Sequence, residues 1–159
     1  MKAPSCDSYI LPQKFFSFTD IYPNTQGGII PQDNYQTQIT NGEDKGLIIE
    51  LKSNNHHVIM NFGVVQAIRM LDEGIVQNEL YSYNEVEKFK KDGFKKIIYE
   101  VKGGEFAKQI QNISDKFWET LDAKHYIVIT QNYNIDIITE WEPEINILYT
   151  LTPDTRKNE

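Results

Sequence analysis

The chain has 159 residues, 40% hydrophobic and 25% charged, with 9 Tyr and 8 Phe, a size and composition that suit one folded domain and exclude a disordered segment. Its formal charge of -7 and pI near 5.0 disfavour nucleic acid and anionic membranes, which are held by a positive field, and favour a basic protein partner. The single Cys6 excludes an intramolecular disulfide, and its place in an N-terminal stretch without structural signals reads as an inert or mildly reactive thiol, not a nucleophile.

The start, MKAPSCDSYILPQ, has no apolar run of the kind a secretory signal carries. No window approaches the roughly 18 apolar residues of a membrane span. The expected location is the cytoplasm. A single domain over residues 1–159 is expected, with a loop-rich N-terminal portion at 1–45, a core at 46–150 and a frayed tail at 151–159.

In chain order, KFFSF reads as a short strand and YPNTQGGIIPQDN as a loop, because Pro23 and Pro31 remove donors and Gly27-Gly28 permits positive φ. Asn41-Gly42 marks a turn with a strand on either side. GLIIELK and HHVIMNF flank SNN at the spacing of an antiparallel hairpin, which puts Val58, Met60 and Phe62 on one face and His57, Ile59 and Asn61 on the other. GVVQAIRML has Val64, Val65, Ile68 and Leu71 at helical spacing, but its β-branched content and the preceding Gly63 favour a bulged continuation of the sheet. DEGIVQNELYSY reads as a loop or edge, and Asn84 as the cap of EVEKFKKDG. FKKIIYEVK predicts a strand that ends at Gly103-Gly104. Phe106, Ile110, Ile113, Phe117 and Leu121 form the stripe of an amphipathic helix lying on the core, with Asn112 and Ser114 as points where it splits. HYIVITQ and NIDIIT predict a second hairpin, and EINILYTLT an edge strand or tail. Strands dominate without βαβ alternation, so the expected class is α+β, a mainly antiparallel sheet built from hairpins with one main helix packed on it.

The polar residues suggest several sites. His56-His57 invites a metal reading, but strand neighbours point to opposite faces, and no HExxH or cysteine cluster completes a ligand set. No metal or cofactor is expected. His125 would act as a base only if a nucleophile and an orienting group converged on it. Arg69 with Asp72 and Glu73 fits either a substrate clamp or a pair tying down the LDEG turn, and His57, Arg69, Asp72 and Glu73 together are the residues a pocket would use. Gly103-Gly104 before a helix lacks the phosphate-loop patterns and carries Glu105 where the anion would sit, so it reads as a hinge. In IDIITEWEPEI, Asp136, Glu140, Glu142 and Glu144 surround Trp141 without a basic residue. Paired carboxylates there could serve glycoside chemistry, but the cluster reads first as a solvated acidic loop and then as a partner-binding surface anchored by the tryptophan.

Taken together, VIMNFGVVQAIRMLDEG, KKIIYEVKGGEFAKQI and HYIVITQNYNIDIITEWEPEI resemble blocks of small bacterial α+β proteins of the polymorphic-toxin immunity type, over about residues 46–146. That resemblance implies an intracellular, cofactor-free protein that blocks a cognate toxin; it assigns no individual binding residue. The acidic surface is compatible with a basic toxin domain. Two alternatives stand beside this: a small hydrolase or sugar-active enzyme using His57, Arg69, Asp72 or Glu73, and a structural or accessory module of a larger assembly.

Overall fold

The computed structural model describes residues 30–75 and 97–150 and the backbone of a strand at 14–17. Strands run in chain order as β1 (Lys14–Ser17), β2 (Gln36–Gly42), β3 (Gly46–Lys52), β4 (His56–Gly63), β5 (Ala67–Asp72), β6 (Ile98–Lys102), β7 (Lys124–Ile129), β8 (Tyr133–Thr139) and β9 (Glu144–Tyr149). A helix, α1 (Glu105–Ser114), lies between β6 and β7. The strands form two antiparallel sheets, β1-β6-β7-β8-β5 and β2-β3-β4-β9. The fold is α+β, as the pattern of hairpins implies.

Alternation builds the interior. Leu47, Ile49 and Leu51 of β3 and Val58, Met60 and Phe62 of β4 are buried on one face of the four-stranded sheet. They share one core with Ile98, Tyr126, Val128, Ile135 and Ile137 of the five-stranded sheet. The opposite face of that larger sheet is buried too, through Tyr99, Val101, His125, Ile127, Asp136 and Ile138. Strands β6, β7 and β8 are therefore covered on both faces, which is why they read as nearly continuous apolar runs.

Helix α1 lies against this second face through Phe106, whose ring sits 5.6 Å from the His125 ring centroid. The stripe expected to continue to Leu121 does not hold. Phe106 is the only buried residue of α1, while Ile113 and Phe117 are exposed. Asp115 adopts φ 49 and ends the helix, and a 3-10 turn follows over Asp115–Thr120. A change from 3.6 to 3 residues per turn shifts the phase of the stripe after Asp115, which carries Phe117 off the core; Ile113, still inside α1, is exposed despite its spacing.

The segment GVVQAIRML also departs from expectation. It contains a strand, but not a continuation of the same sheet: β4 pairs with β3 and β9, whereas β5 pairs with β8 in the other sheet. Gly63, at φ +66, ends β4, and residues 64–66 carry the chain across. Residues 140–143 make the reverse crossing from β8 to β9. Because β4 pairs with β9 and β5 with β8, a two-stranded ribbon bends through a corner and joins the sheets. Just before the bend, the β3–β4 register slips between Leu47 and Ile48, leaving Phe62 as the extra residue of a bulge. Gly46, at φ +72, lies so close to this bend that a Cβ would meet the Gly63 carbonyl at 2.1 Å.

Strand β9 is an edge strand, one of the two outcomes EINILYTLT allowed. Strand β2 lies within the portion expected to be loop-rich, on the near side of the Asn41-Gly42 turn. Cys6, the Asn84-capped segment and the tail at 151–159 lie outside the described residues.

Candidate functional site

The corner presents exposed apolar side chains on a backbone that the chain braces. Trp141 is 61% exposed and Val64 60%, and a Cβ on Gly63 would stand 3.7 Å from the Trp141 Cδ1. The indole thus lies beside the β4–β5 crossing. Hydrogen bonds hold both crossings in place. The Gln66 N–H donates to the Ile138 carbonyl at 2.9 Å, and the Trp141 N–H donates to the Thr139 Oγ1 at 3.3 Å. Glu140 accepts from the Gln66 side-chain amide at 3.3 Å and from the Asp122 N–H at 3.4 Å. Pro143 is buried, while Glu142 and Glu144 are exposed.

This arrangement divides the five residues expected to bind a partner. Trp141, Glu142 and Glu144 are accessible, and Glu140 is a half-buried latch between the two crossings. Asp136 is not part of the surface at all. It sits in the middle of β8 at 1% exposure, because a strand covered on both faces hides every residue in it. Adjacency in IDIITEWEPEI merged a buried strand carboxylate with a surface turn.

Asp136 is instead the centre of a buried polar network beneath α1. Arg69 of β5 lies directly across from it in register and donates from Nε and Nη2 to Oδ2 at 3.1 and 2.8 Å. The His125 Nε2 is 2.7 Å from the other oxygen. The Phe106 ring covers the guanidinium, with Cζ 4.6 Å from the centroid. This supplies the orienting carboxylate a catalytic His125 requires but no nucleophile: among the described residues no hydroxyl, thiol or amine is bonded to the imidazole, and its Nδ1 is buried without a hydrogen-bond partner among them. The network neutralises and orders side chains inside the fold.

The four residues expected to form a pocket are separated. His57 lies on the outer face of the four-stranded sheet, 3.0 Å from Glu50. Arg69 lies on the helix side of the other sheet. Asp72 accepts the Gly74 N–H at 2.8 Å and so closes its own turn, without Arg69. Glu73 is exposed, and its N–H donates to the Asn132 carbonyl. The expected Arg69–Asp72–Glu73 tie is replaced by the cross-strand pair with Asp136, which alternation permits and the turn reading overlooked.

The two histidines do point to opposite faces. His56 packs edge-on to Tyr149 at 5.3 Å, and its Nδ1 lies 2.8 Å from the Asp33 Oδ2. The Ser53 hydroxyl donates to that same oxygen at 2.5 Å. The Ser53 hydrogen bond first, then that of His56 and then the Asn34 N–H hold the Asp33 carboxyl down from 3.8 to about 2. Serine, histidine and aspartate meet here, but Ser53 bonds the carboxylate and also accepts the His56 N–H at 2.9 Å, so it staples the β3–β4 turn and has no base on it. Two clefts of about 280 and 290 Å³ share Asp33 and Asn34 as a common wall. Burial, with the charge of Asp33 and the neighbouring Tyr149, pushes Tyr35 on the first cleft up to about 12. Among the described residues no group of three or more His, Cys, Asp or Glu could hold a metal ion, and no helix is long and apolar enough to cross a membrane.

Neither Val64 nor Asp33 was read from sequence as a site residue. Val64 had a signal, the glycine before it, which marks a break after which an apolar residue need not face the core. Comparison with protein-family models, curated proteins and solved structures finds no match to this chain.

Proposed function

We propose that the chain is a non-enzymatic binding protein that occludes a basic protein partner, in its most concrete form an immunity protein neutralising a bacterial toxin. The observation that carries this reading is Trp141, 61% exposed on a crossing held by hydrogen bonds to both neighbouring segments. A large aromatic kept in water by a fixed backbone costs little further ordering when it binds, and such residues dominate interface energetics. Glu142 and Glu144 beside it, within a chain of net charge -7, steer and select a positive surface. Among the described residues neither histidine–aspartate pair has a nucleophile on its imidazole, which fits occlusion better than turnover.

The test is affinity capture of the products of neighbouring genes by the tagged chain, followed by titration of the captured partner. Trp141→Ala should weaken binding by about 2 kcal/mol, roughly thirtyfold, with the fold unchanged. Failure of every neighbouring product to bind, or a Trp141→Ala variant with undiminished affinity, would overturn the reading.

A further inference from the structure

Among the described residues, strand β5 is an edge of the five-stranded sheet, next to the corner that carries Trp141. Its backbone can be sorted by alternation. The Glu73 N–H donates to Asn132, and the β5–β8 register continues from there through Leu71–Asn134, Arg69–Asp136 and Ala67–Ile138. Those residues turn their amides towards β8, so Ile68, Met70 and Asp72 turn theirs outward. On the same strand Ile68 is 36% exposed and Met70 50%, on the face that elsewhere packs against the four-stranded sheet. Edges of this kind are usually blunted by a lysine, a proline or a cover. Here the single basic residue, Arg69, is occupied by Asp136.

Carboxylates flank this edge at both ends. Asp72 and Glu73 lie at one end and Glu140 and Glu142 at the corner end, where Glu140 is bonded to Gln66. A second copy is a poor occupant, because antiparallel self-pairing would bring Asp72 and Glu73 of one edge towards Gln66 and Glu140 of the other, between two chains of charge -7. An extended segment with an apolar centre and basic ends fits both the row of amides and the charges. We propose that β5 accepts such a segment of the basic partner as an added strand, with its apolar side chains on Ile68 and Met70 and its basic ends on the two acidic flanks. This rests on the basic-partner reading above and gives it a docking mode, strand addition.

The probe is the synthetic peptide Lys-Lys-Val-Thr-Val-Thr-Val-Lys-Lys, with the corresponding peptide carrying Glu at its ends as control. The readout is residue-resolved amide hydrogen exchange. Millimolar basic peptide should slow exchange at Ile68, Met70 and Asp72 by about tenfold, while Arg69 and Leu71, already bonded to β8, change little. The acidic peptide should have no effect. Met70→Pro removes a donor that faces outward, so the strand should keep its bonds to β8 while the protection disappears; Met70→Lys blunts the same edge if the proline variant unfolds. Absence of protection, or protection by both peptides alike, overturns the proposal. Protection that grows with protein concentration without peptide overturns it in favour of a second copy. If Met70→Pro leaves capture of the natural partner intact while Trp141→Ala abolishes it, strand addition fails and the corner reading stands.

Discussion

Replacing Asp136 by alanine separates a structural network from a catalytic one. The carboxylate accepts two hydrogen bonds from Arg69 and one contact from His125, and it is 1% exposed. Removing one member of a buried ion pair costs about 3–5 kcal/mol, because the remaining charge keeps its desolvation without its partner. Arg69 retains some solvent, its side chain being 27% exposed, which places its share near the lower end. His125 would lose its one bonded nitrogen in addition, about 1–3 kcal/mol for a buried polar group left unpaired. A total of about 4 kcal/mol is therefore expected for Asp136→Ala in urea unfolding, a large part of the roughly 5–15 kcal/mol that holds a domain together. Asp136→Asn keeps the shape and can still bond both neighbours, so it should recover more than half of the loss. Arg69→Met keeps the apolar contact with Phe106 and removes the charge. The double variant Arg69→Met/Asp136→Ala should then be less destabilised than the sum of the singles by more than about 1 kcal/mol. Coupling below about 0.5 kcal/mol would refute the reasoning, since the two side chains would not be acting as one unit.

Two other perturbations bear on the frame around the sites. Gly46→Ala puts a Cβ 2.1 Å from the backbone of Gly63 at a φ of +72; the left-handed backbone alone costs about 1 kcal/mol, and the clash must separate β3 from the bend, so a loss of at least about 3 kcal/mol, or about 6–12 °C in Tm, is expected by calorimetry. A shift of only a degree or two would show that the bend opens freely. The Asp33 carboxyl is lowered on folding from 3.8 to about 2, so its contribution is fully present above pH 3.8 and is lost as pH falls through about 2. The difference in urea midpoint between the native chain and Asp33→Asn should accordingly narrow across that acid window, and a difference independent of pH there would contradict the clamp.

Periodicity carried most of the fold. SNN between GLIIELK and HHVIMNF, and the turn between HYIVIT and NIDIIT, became the β3–β4 and β7–β8 hairpins, because each has alternation or a buried run on both sides of a polar turn. What periodicity could not carry was which sheet a strand joins. AIRMLD reads the same whether it extends β4 or pairs with β8, and the deciding factor, the left-handed bend at Gly63, is a single residue. The polar residues failed for a related reason. Arg69 and Asp136 each stand alone in an apolar run, AIRML and IDII, and two opposite charges stranded in buried text call for each other. Reading each with its sequence neighbours instead assigned Arg69 to a turn and Asp136 to a surface.

The bend links these observations physically. Gly46 permits β3 to approach the Gly63 carbonyl, Gly63 permits the chain to leave one sheet for the other, and the crossing so formed lies beside the Trp141 indole while Gln66 holds Glu140. The exposed corner therefore begins where the close approach of β3 to β4 lets the chain leave the four-stranded sheet. Its accessible residues, Trp141, Val64, Glu142 and Glu144, sit on segments whose backbone is determined from both sides, whereas Asp33, His56 and Ser53 spend their polar groups on one another. The histidine–carboxylate pairs hold segments together, while an aromatic with acidic neighbours is left in water at the corner, the arrangement on which the proposed binding reading rests.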